Sequence, residues 1–186
     1  ELWIEPWGKN AVRVRATKNA QMPLDDWALL PKSENDLEEG EKEVRIRVTE
    51  AGGELINGKL KVFLTQGGKI TIQNQNGKVL LEEYWRNRRD VTDSKCSAIE
   101  VEAREFRPNV GGDYHLTMRL ESQDKNEKIY GMGQYQQPYL NLKGSDLELA
   151  HRNSQASVPF AVSSLGYGIL WNNPGIGRAV FGTNIM

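Results

Sequence analysis

The chain has 186 residues with nearly balanced charge, 24 basic against 25 acidic side chains, 38% hydrophobic residues and a mean hydropathy of −0.61. This length suits a single domain whose core is large enough to be stable without a metal or a disulfide. Because there is no basic excess and no apolar run near the roughly 20 residues of a membrane-spanning helix, we expect neither nucleic-acid nor membrane binding.

Cysteine and histidine are too scarce for a structural metal site. Cys96 is the only cysteine, and His115 and His151 lack the further ligands that a zinc site needs, so we expect no metal and no cofactor. The chain begins at Glu1 without an apolar signal segment and holds no Asn-x-Ser/Thr acceptor. Together with the single cysteine, these features lead us to expect a cytoplasmic protein.

The first predicted elements alternate apolar and charged residues with a period of two. Residues 11–17 and 44–49 both show this pattern, which predicts half-buried antiparallel strands. Residues 25–43 lie between them and are rich in acidic side chains. We interpret this acidic segment as a solvated loop, with an acidic docking surface as the alternative.

Turn residues then join a series of short strands. Gly67-Gly68 connects residues 59–65 to 69–73, and Asn76-Gly77, a typical type I′ turn, connects the latter to 79–82. Further strands are predicted at 97–104, 114–121, 146–152, 158–164, 167–171 and 179–182. Many short strands without intervening helices predict an all-β protein with a large antiparallel β-sandwich.

One segment, residues 130–171, is rich in side chains that suit sugars. Planar amides and guanidinium groups can hydrogen-bond vicinal hydroxyls, and aromatic faces can stack on a pyranose ring. The members are Gln134, Tyr135, Gln136, Gln137, Tyr139, Asn141, His151, Arg152, Asn153 and Gln155. Polar loops also contain Asn and Gln because these residues favour turns, so composition alone leaves sugar contact open. We predict no catalytic residue, since no serine lies in a Gly-x-Ser-x-Gly context and the acids fit solvated strand faces.

Two motifs in this segment resemble glycoside hydrolase family 31. KIYGMGQ at residues 128–134 resembles the family's E-x-hydrophobic-Tyr-Gly-hydrophobic-Gly-Glu/Gln signature. NSQASVPF at 153–160, followed by SSLGYGILWNNP at 163–174, resembles its Pro-Phe … Ser-x-x-Gly-Tyr-Gly run. Upstream, GKLKV at 58–62 and KITIQNQNGKVL at 69–80 resemble the preceding part of the same N-terminal domain more loosely.

The resemblance implies a galactose-mutarotase-like supersandwich that precedes a (β/α)8 barrel. In such enzymes the barrel carries both catalytic aspartates and hydrolyses α-glucosides or α-xylosides with retention. This chain is too short for a barrel of about 250 residues, so the resemblance implies that residues 1–186 are a single N-terminal domain of a larger α-glycosidase, inactive alone. Its expected partners are the barrel of the same polypeptide and an α-linked oligosaccharide substrate.

The family's N-terminal domain also lends a loop to the substrate pocket. By position this loop precedes residues 158–160, which makes Arg152, Asn153 and Gln155 the candidates, with His151 behind them. The compact Asn-Ser-Gln-Ala version resembles bacterial α-xylosidases and related α-glucosidases.

Two other functions remain open on the sequence alone. One is an autonomous carbohydrate-binding module that stacks sugars on Tyr135, Tyr139 and Trp171. The other is an interaction sandwich in which no residue contacts sugar, because the alternating apolar residues of strands 158–164 and 167–171 also suit an ordinary core.

Overall fold

The computed structural model describes residues 1–24, 26, 29 and 44–182, and these contain fifteen β-strands. All strand pairs are antiparallel, apart from one isolated parallel bridge between Asn87 and Cys96. The predicted all-β, antiparallel class is confirmed. In this described part no residue is helical, so it holds no helix able to cross a membrane.

The chain divides into two compact units. Among the described residues, the first unit holds 1–24 and 44–123, and the second holds 26, 29 and 124–182. The strands of the first unit are β1 (Leu2–Pro6), β2 (Val12–Ala16), β3 (Val44–Thr49), β4 (Gly52–Asn57), β5 (Leu60–Thr65), β6 (Ile70–Asn74), β7 (Val79–Glu83), β8 (Arg104–Pro108), β9 (Tyr114–Met118) and β10 (Leu120–Glu121).

A six-stranded sheet forms the body of the first unit, in the order β10-β7-β6-β5-β4-β3, and its strands β3 to β7 are a meander. Register places Leu55, Val62 and Ile72 side by side on one face, where Leu55 and Val62 are buried. The β1–β2 hairpin covers this face with alternating apolar residues, among them Ile4 and Val14. Full burial of Leu55 and Val62, worth about 1.5–3 kcal/mol each, and partial burial of the side chains packed on them hold the two layers together.

The second unit has five strands in two small sheets. They are β11 (Ile129–Gln134), β12 (Asp146–Leu149), β13 (Ala156–Ser163), β14 (Gly168–Leu170) and β15 (Gly177–Val180). One sheet has the order β11-β13-β14, and β12 pairs with β15 in the other. Ile129, Met132, Leu142, Leu147 and Ala161 form the core between them.

The structure corrects several strand boundaries. Residues 97–104 were expected to form one strand, but Val101 makes only an isolated bridge to Arg86, and the strand β8 begins at Arg104, the last residue of that range. Ile99 is 71% exposed, so the apolar side chain that the alternating pattern would place in a core lies in solvent. β12 ends at Leu149 rather than at residue 152, because the chain turns there. The sequence did not predict the strands β1, β4 and β11.

The acidic segment at 25–43 lies outside the described residues except for Asp26 and Leu29. Its interpretation as a loop or a docking surface, and the grouping of residues 1–186 as one domain, remain predictions.

Candidate functional site

The candidate loop is a tight turn between β12 and β13. Arg152 and Gln155 pair in antiparallel fashion, with the Arg152 amide 3.3 Å from the Gln155 carbonyl oxygen and the reciprocal pair at 3.2 Å. Asn153 and Ser154 form the tip, and both side chains are exposed. These residue types suit a turn, since their short polar side chains satisfy nearby backbone groups. The turn therefore presents the Asn153 amide to solvent in a defined backbone frame.

An ion pair fixes the guanidinium of Arg152 against β12. Its Nε and Nη2 donate to the Glu148 carboxylate at 3.1 and 2.8 Å. Among the residues that the structure describes, Nη1 has no partner. The two side chains remain 60% and 45% exposed, so the pair adds little stability but does orient the remaining donor.

Tyr135 and His151 tie the loop to the adjacent strands through Ser157. The Tyr135 hydroxyl donates to the Glu148 carbonyl oxygen and accepts from the Ser157 hydroxyl, both at 2.8 Å. The Ser157 amide donates to Nδ1 of His151 at 3.4 Å. The ring of Tyr135 also packs against the core of the second unit. Tyr135 thus anchors the loop.

The predicted site residues fall into two groups. His151, Arg152, Gln155 and Tyr135 share one network of contacts, and Asn153 lies at its tip. Tyr139 is 51% exposed, and Trp171 donates its backbone amide to the Pro159 carbonyl. No contact recorded between described residues connects these two to the loop, and their role in stacking sugar remains a prediction.

A backbone bulge in β11 explains the glycines of the first motif. Gly131, Met132 and Gly133 all have positive φ, at 96°, 67° and 92°, and the register with β13 shifts between the two glycines. A Cβ at Gly131 would lie 2.6 Å from the Phe160 carbonyl oxygen, and one at Gly133 would overlap that of Ala156. Met132 is buried. Only glycine tolerates so close an approach to the backbone of β13, so the bulge depends on Gly131 and Gly133. Tyr135 follows this bulge directly after β11.

Sequence reasoning missed a buried carboxylate beside this bulge. Glu127 is 3% exposed, and its Oε1 accepts hydrogen bonds from the hydroxyls of Tyr167 and Ser163. Lys143 Nζ lies 3.7 Å from its Oε2. Burial raises the pKa of Tyr167, and the hydrogen bond and charge of Glu127 raise it further, so this hydroxyl stays protonated. The first motif begins with Glu in the family, and Glu127 occupies that position.

The loop offers hydrogen-bond donors and acceptors rather than a reacting pair. Guanidinium, amide and imidazole groups lie within one turn, and its carboxylate, Glu148, is engaged with Arg152. Within the described residues, no group of three or more His, Cys, Asp or Glu side chains could hold a metal ion. The arrangement suits recognition of a hydroxyl-rich molecule.

Comparison with known proteins shows the family. Residues 1–177 match the model of the glycosyl hydrolase 31 N-terminal galactose mutarotase-like domain. The chain belongs to this family. Its family-31 resemblance, read from the two motifs, and its mutarotase-like fold are thereby confirmed.

The relatives are longer enzymes. The chain is 47% identical, over 193 aligned residues, to an uncharacterized family 31 glucosidase of Pseudescherichia vulneris, covering 98% of this chain and 35% of that protein. The crystal structure of a GH31 alpha-xylosidase from a soil metagenome, complexed with xylose, matches with TM-score 0.89 and 48% identity over 98% of this chain and 27% of that one. A GH31 alpha-xylosidase structure from Xanthomonas citri matches with TM-score 0.55 and 32% identity over 73% of this chain and 13% of that one. These two relatives match almost the whole of this chain, and the chain spans about a third of their length.

Proposed function

We propose that this chain is the accessory N-terminal domain of a retaining α-glycosidase. It packs on the catalytic (β/α)8 barrel of the same polypeptide, lends the loop of residues 151–155 to the substrate pocket, and is inactive alone. The observation that carries the proposal is an exposed polar turn with an anchored backbone, in a domain whose relatives are glycosidases about three times as long.

The chemistry of the loop fits the rim of a sugar pocket. The available Nη1 of Arg152 and the amides of Asn153 and Gln155 can each hydrogen-bond hydroxyls of a substrate held by another part of the enzyme. Because Glu148 and Tyr135 already hold the turn, little conformational entropy is lost when sugar binds.

The substrate class that we propose is α-linked oligosaccharides with a xylosyl or glucosyl residue. Support comes from relatives that carry the name α-xylosidase, one of them 30% identical over 141 residues in Saccharolobus solfataricus.

Two arginines in exposed ion pairs provide a matched test in the full-length enzyme. Arg152 pairs with Glu148 in the loop, and Arg178 pairs with Asp146 on the strands β15 and β12, at 60% and 69% exposure. We expect Arg152→Ala to lower kcat/KM on an aryl α-xyloside about tenfold, the effect of about 1.4 kcal/mol of lost binding. Arg178→Ala should leave kcat/KM unchanged.

Two further variants address the amides of the turn. Asn153→Ala and Gln155→Ala should reduce kcat/KM on the aryl α-xyloside and shift its ratio to that on the aryl α-glucoside. Equal kinetics for wild type, Arg152→Ala, Asn153→Ala and Gln155→Ala would refute the pocket role. Hydrolysis of either substrate by the 186-residue chain alone, at a rate near that of the full enzyme, would refute the accessory assignment.

A carbohydrate-binding module is the second candidate, and the 51% exposure of Tyr139 is the observation that favours it. It predicts that xylo- or gluco-oligosaccharides bind the 186-residue chain in calorimetry and that Tyr139→Ala abolishes the heat signal. Absence of a signal for the wild-type chain at millimolar sugar would eliminate this candidate.

A further inference from the structure

The outward face of β13 carries apolar side chains where an ordinary solvent-facing strand carries polar ones. Val158, Phe160 and Val162 alternate with residues that face the core, and they are 50%, 42% and 40% exposed. Leu170, opposite Phe160 on β14, is 46% exposed. We call these four side chains the β13 face.

The whole sheet around this face lacks charge. None of the strands β11, β13 and β14 contains an Asp, Glu, Lys or Arg. An antiparallel sheet with one face in water normally alternates apolar and polar residues, and a contiguous exposed apolar patch usually marks an interaction surface.

Phe160 makes the face flat. Its ring lies over Gly168, where an added Cβ would come within 2.7 Å of Cζ. Gly168 is paired with Val162, so the aromatic ring spans the space that a side chain on β14 would otherwise fill. A flat, rigid apolar surface suits permanent packing against another folded element.

We propose that the β13 face is the surface on which the catalytic barrel of the same polypeptide packs. This inference rests on the proposed function and names its contact surface. In the relatives, roughly two thirds of the polypeptide lies outside the matched region. A barrel in that remainder would be covalently attached to this domain and always available to cover the β13 face. The absence of charge fits such a permanent contact, because obligate interfaces are more apolar than transient ones.

Continuity with the loop supports the same occupant. β13 begins at Ala156, immediately after Gln155 of the candidate pocket loop. Docking of the barrel on the β13 face would therefore fix the position of the loop relative to the substrate. A second copy of this chain on the face would give the loop no pocket to enter.

Thiol labelling tests the proposal in a Cys96→Ser background, which removes the one cysteine of the 186-residue chain, and labelling of each introduced thiol is followed on its own peptide by mass spectrometry. Val158→Cys and Leu170→Cys place a thiol on the β13 face. Val110→Cys and Ile176→Cys, at positions 108% and 83% exposed, serve as matched controls in the first and second unit. Labelling rates are measured for the 186-residue chain and for the full-length enzyme, and urea unfolding confirms that each variant folds.

We expect the two thiols on the face to react quickly in the 186-residue chain and at least about tenfold more slowly in the full-length enzyme, since reaction of a covered thiol requires local opening. The control thiols should react at the same rate in both. Equal rates at Val158→Cys and Leu170→Cys in the two proteins would overturn the proposal. If the 186-residue chain is labelled slowly, and more slowly at higher protein concentration, the proposal is also overturned, and the face is assigned to contact with a second copy.

The outcome is separable from the pocket role of the loop. Protection of the β13 face together with unchanged kcat/KM in Arg152→Ala, Asn153→Ala and Gln155→Ala would uphold the docking surface and refute the pocket role of the loop. Lowered kcat/KM without protection would do the reverse.

Discussion

The two main sheets of this protein differ in how many charged side chains they carry. The six-stranded sheet of the first unit buries carboxylates at its β7 side and pairs them with basic side chains. The three-stranded sheet β11-β13-β14 of the second unit contains no charged residue and leaves apolar side chains exposed. The buried carboxylates of the first sheet therefore lie in ion pairs, whereas the exposed apolar side chains of the second have no charged residue on their own sheet.

The ionic cluster of the first unit is centred on Glu82 and Glu121. Lys95 lies within 3.5 Å of Glu82 and 2.7 Å of Glu121, Lys69 pairs with Glu82 at 3.0 Å, and Arg86 pairs with Glu121 at 2.9 Å. Burial alone would raise the pKa of both carboxyls, but the hydrogen bonds and positive charges around them lower each pKa below its usual value. Removing one partner would leave a buried charge uncompensated.

The largest expected effect tests the glycine-dependent backbone of the second unit. Gly133→Ala forces a Cβ into the Ala156 carbonyl and within 2.7 Å of the Val158 amide nitrogen, at a φ of 92°. We expect a loss of more than about 3 kcal/mol in the free energy of unfolding, measured in urea. Gly144→Ala is the control, because Gly144 also has a positive φ but open space around it, and it should cost only about 1–2 kcal/mol. Equal losses would show that the close approach to β13 is unimportant.

The buried Glu127 network should give the next largest effect. Tyr167→Phe removes one of the hydroxyls that donate to Glu127 and leaves the carboxylate underpartnered, so we expect a loss of about 1–3 kcal/mol. Tyr114→Phe, at a position 40% exposed, is the control and should change stability by less than about 0.5 kcal/mol. A loss for Tyr167→Phe no larger than the control would mean that the network does not stabilise β13 and β14.

The acid dependence of stability sharpens the contrast between neighbouring carboxyls of the first unit. Because the pKa of Glu82 and of Glu121 is lowered on folding, their contribution to stability is full above the ordinary glutamate pKa of 4.5 and is lost as the pH falls through the lower folded values. We expect Glu82→Gln and Glu121→Gln to flatten this loss, measured as the urea midpoint against pH.

Glu83 should behave with the opposite sign. Burial raises its pKa, against the Ile70 amide hydrogen bond and the charges of Arg104 and Lys69. Its folded form therefore binds a proton more readily, so its contribution grows as the pH falls through the raised folded value towards 4.5. Glu83→Gln should remove that rise, and an unchanged profile above pH 4.5 would contradict the assignment.

The smallest effect on stability is expected at the candidate loop. Arg152→Ala and Arg178→Ala each break an exposed ion pair, and each should change the free energy of unfolding by less than about 0.5 kcal/mol. A much larger loss for Arg152→Ala would mean that its kinetic effect reports unfolding of the turn rather than lost contact with sugar.

The sequence predicted elements best where a strand is half-buried and closed by a recognisable turn. β3 was predicted at its observed bounds, and the hairpin around Asn76-Gly77 was found through its turn residues. The type I′ turn predicted there is wrong, because that turn needs a positive φ at both residues and only Gly77, at 80°, has one. β11 was missed, since three consecutive residues with positive φ interrupt its alternation. Residues 97–104 were mispredicted because alternation does not show whether a core faces the strand.

Part of the candidate site was likewise predicted from the sequence, and part was not. The sequence identified His151, Arg152, Asn153 and Gln155 as one polar turn through motifs that are contiguous in the chain. It did not identify Glu148 and Ser157 as the supports of this turn, or the buried Glu127 that holds Ser163 and Tyr167, since these contacts depend on which strands long-range pairing places side by side.

The sequence by itself determined the all-β class, the family and the position of the loop, because alternation, turn residues and short motifs are local properties of the chain. Only the tertiary structure decided which carboxylates are buried, why Gly131 and Gly133 must be glycine, and which face of β13 lacks a covering layer. The physical reason is that burial and close backbone approach depend on the neighbours that long-range pairing brings together, and these neighbours are distant in sequence.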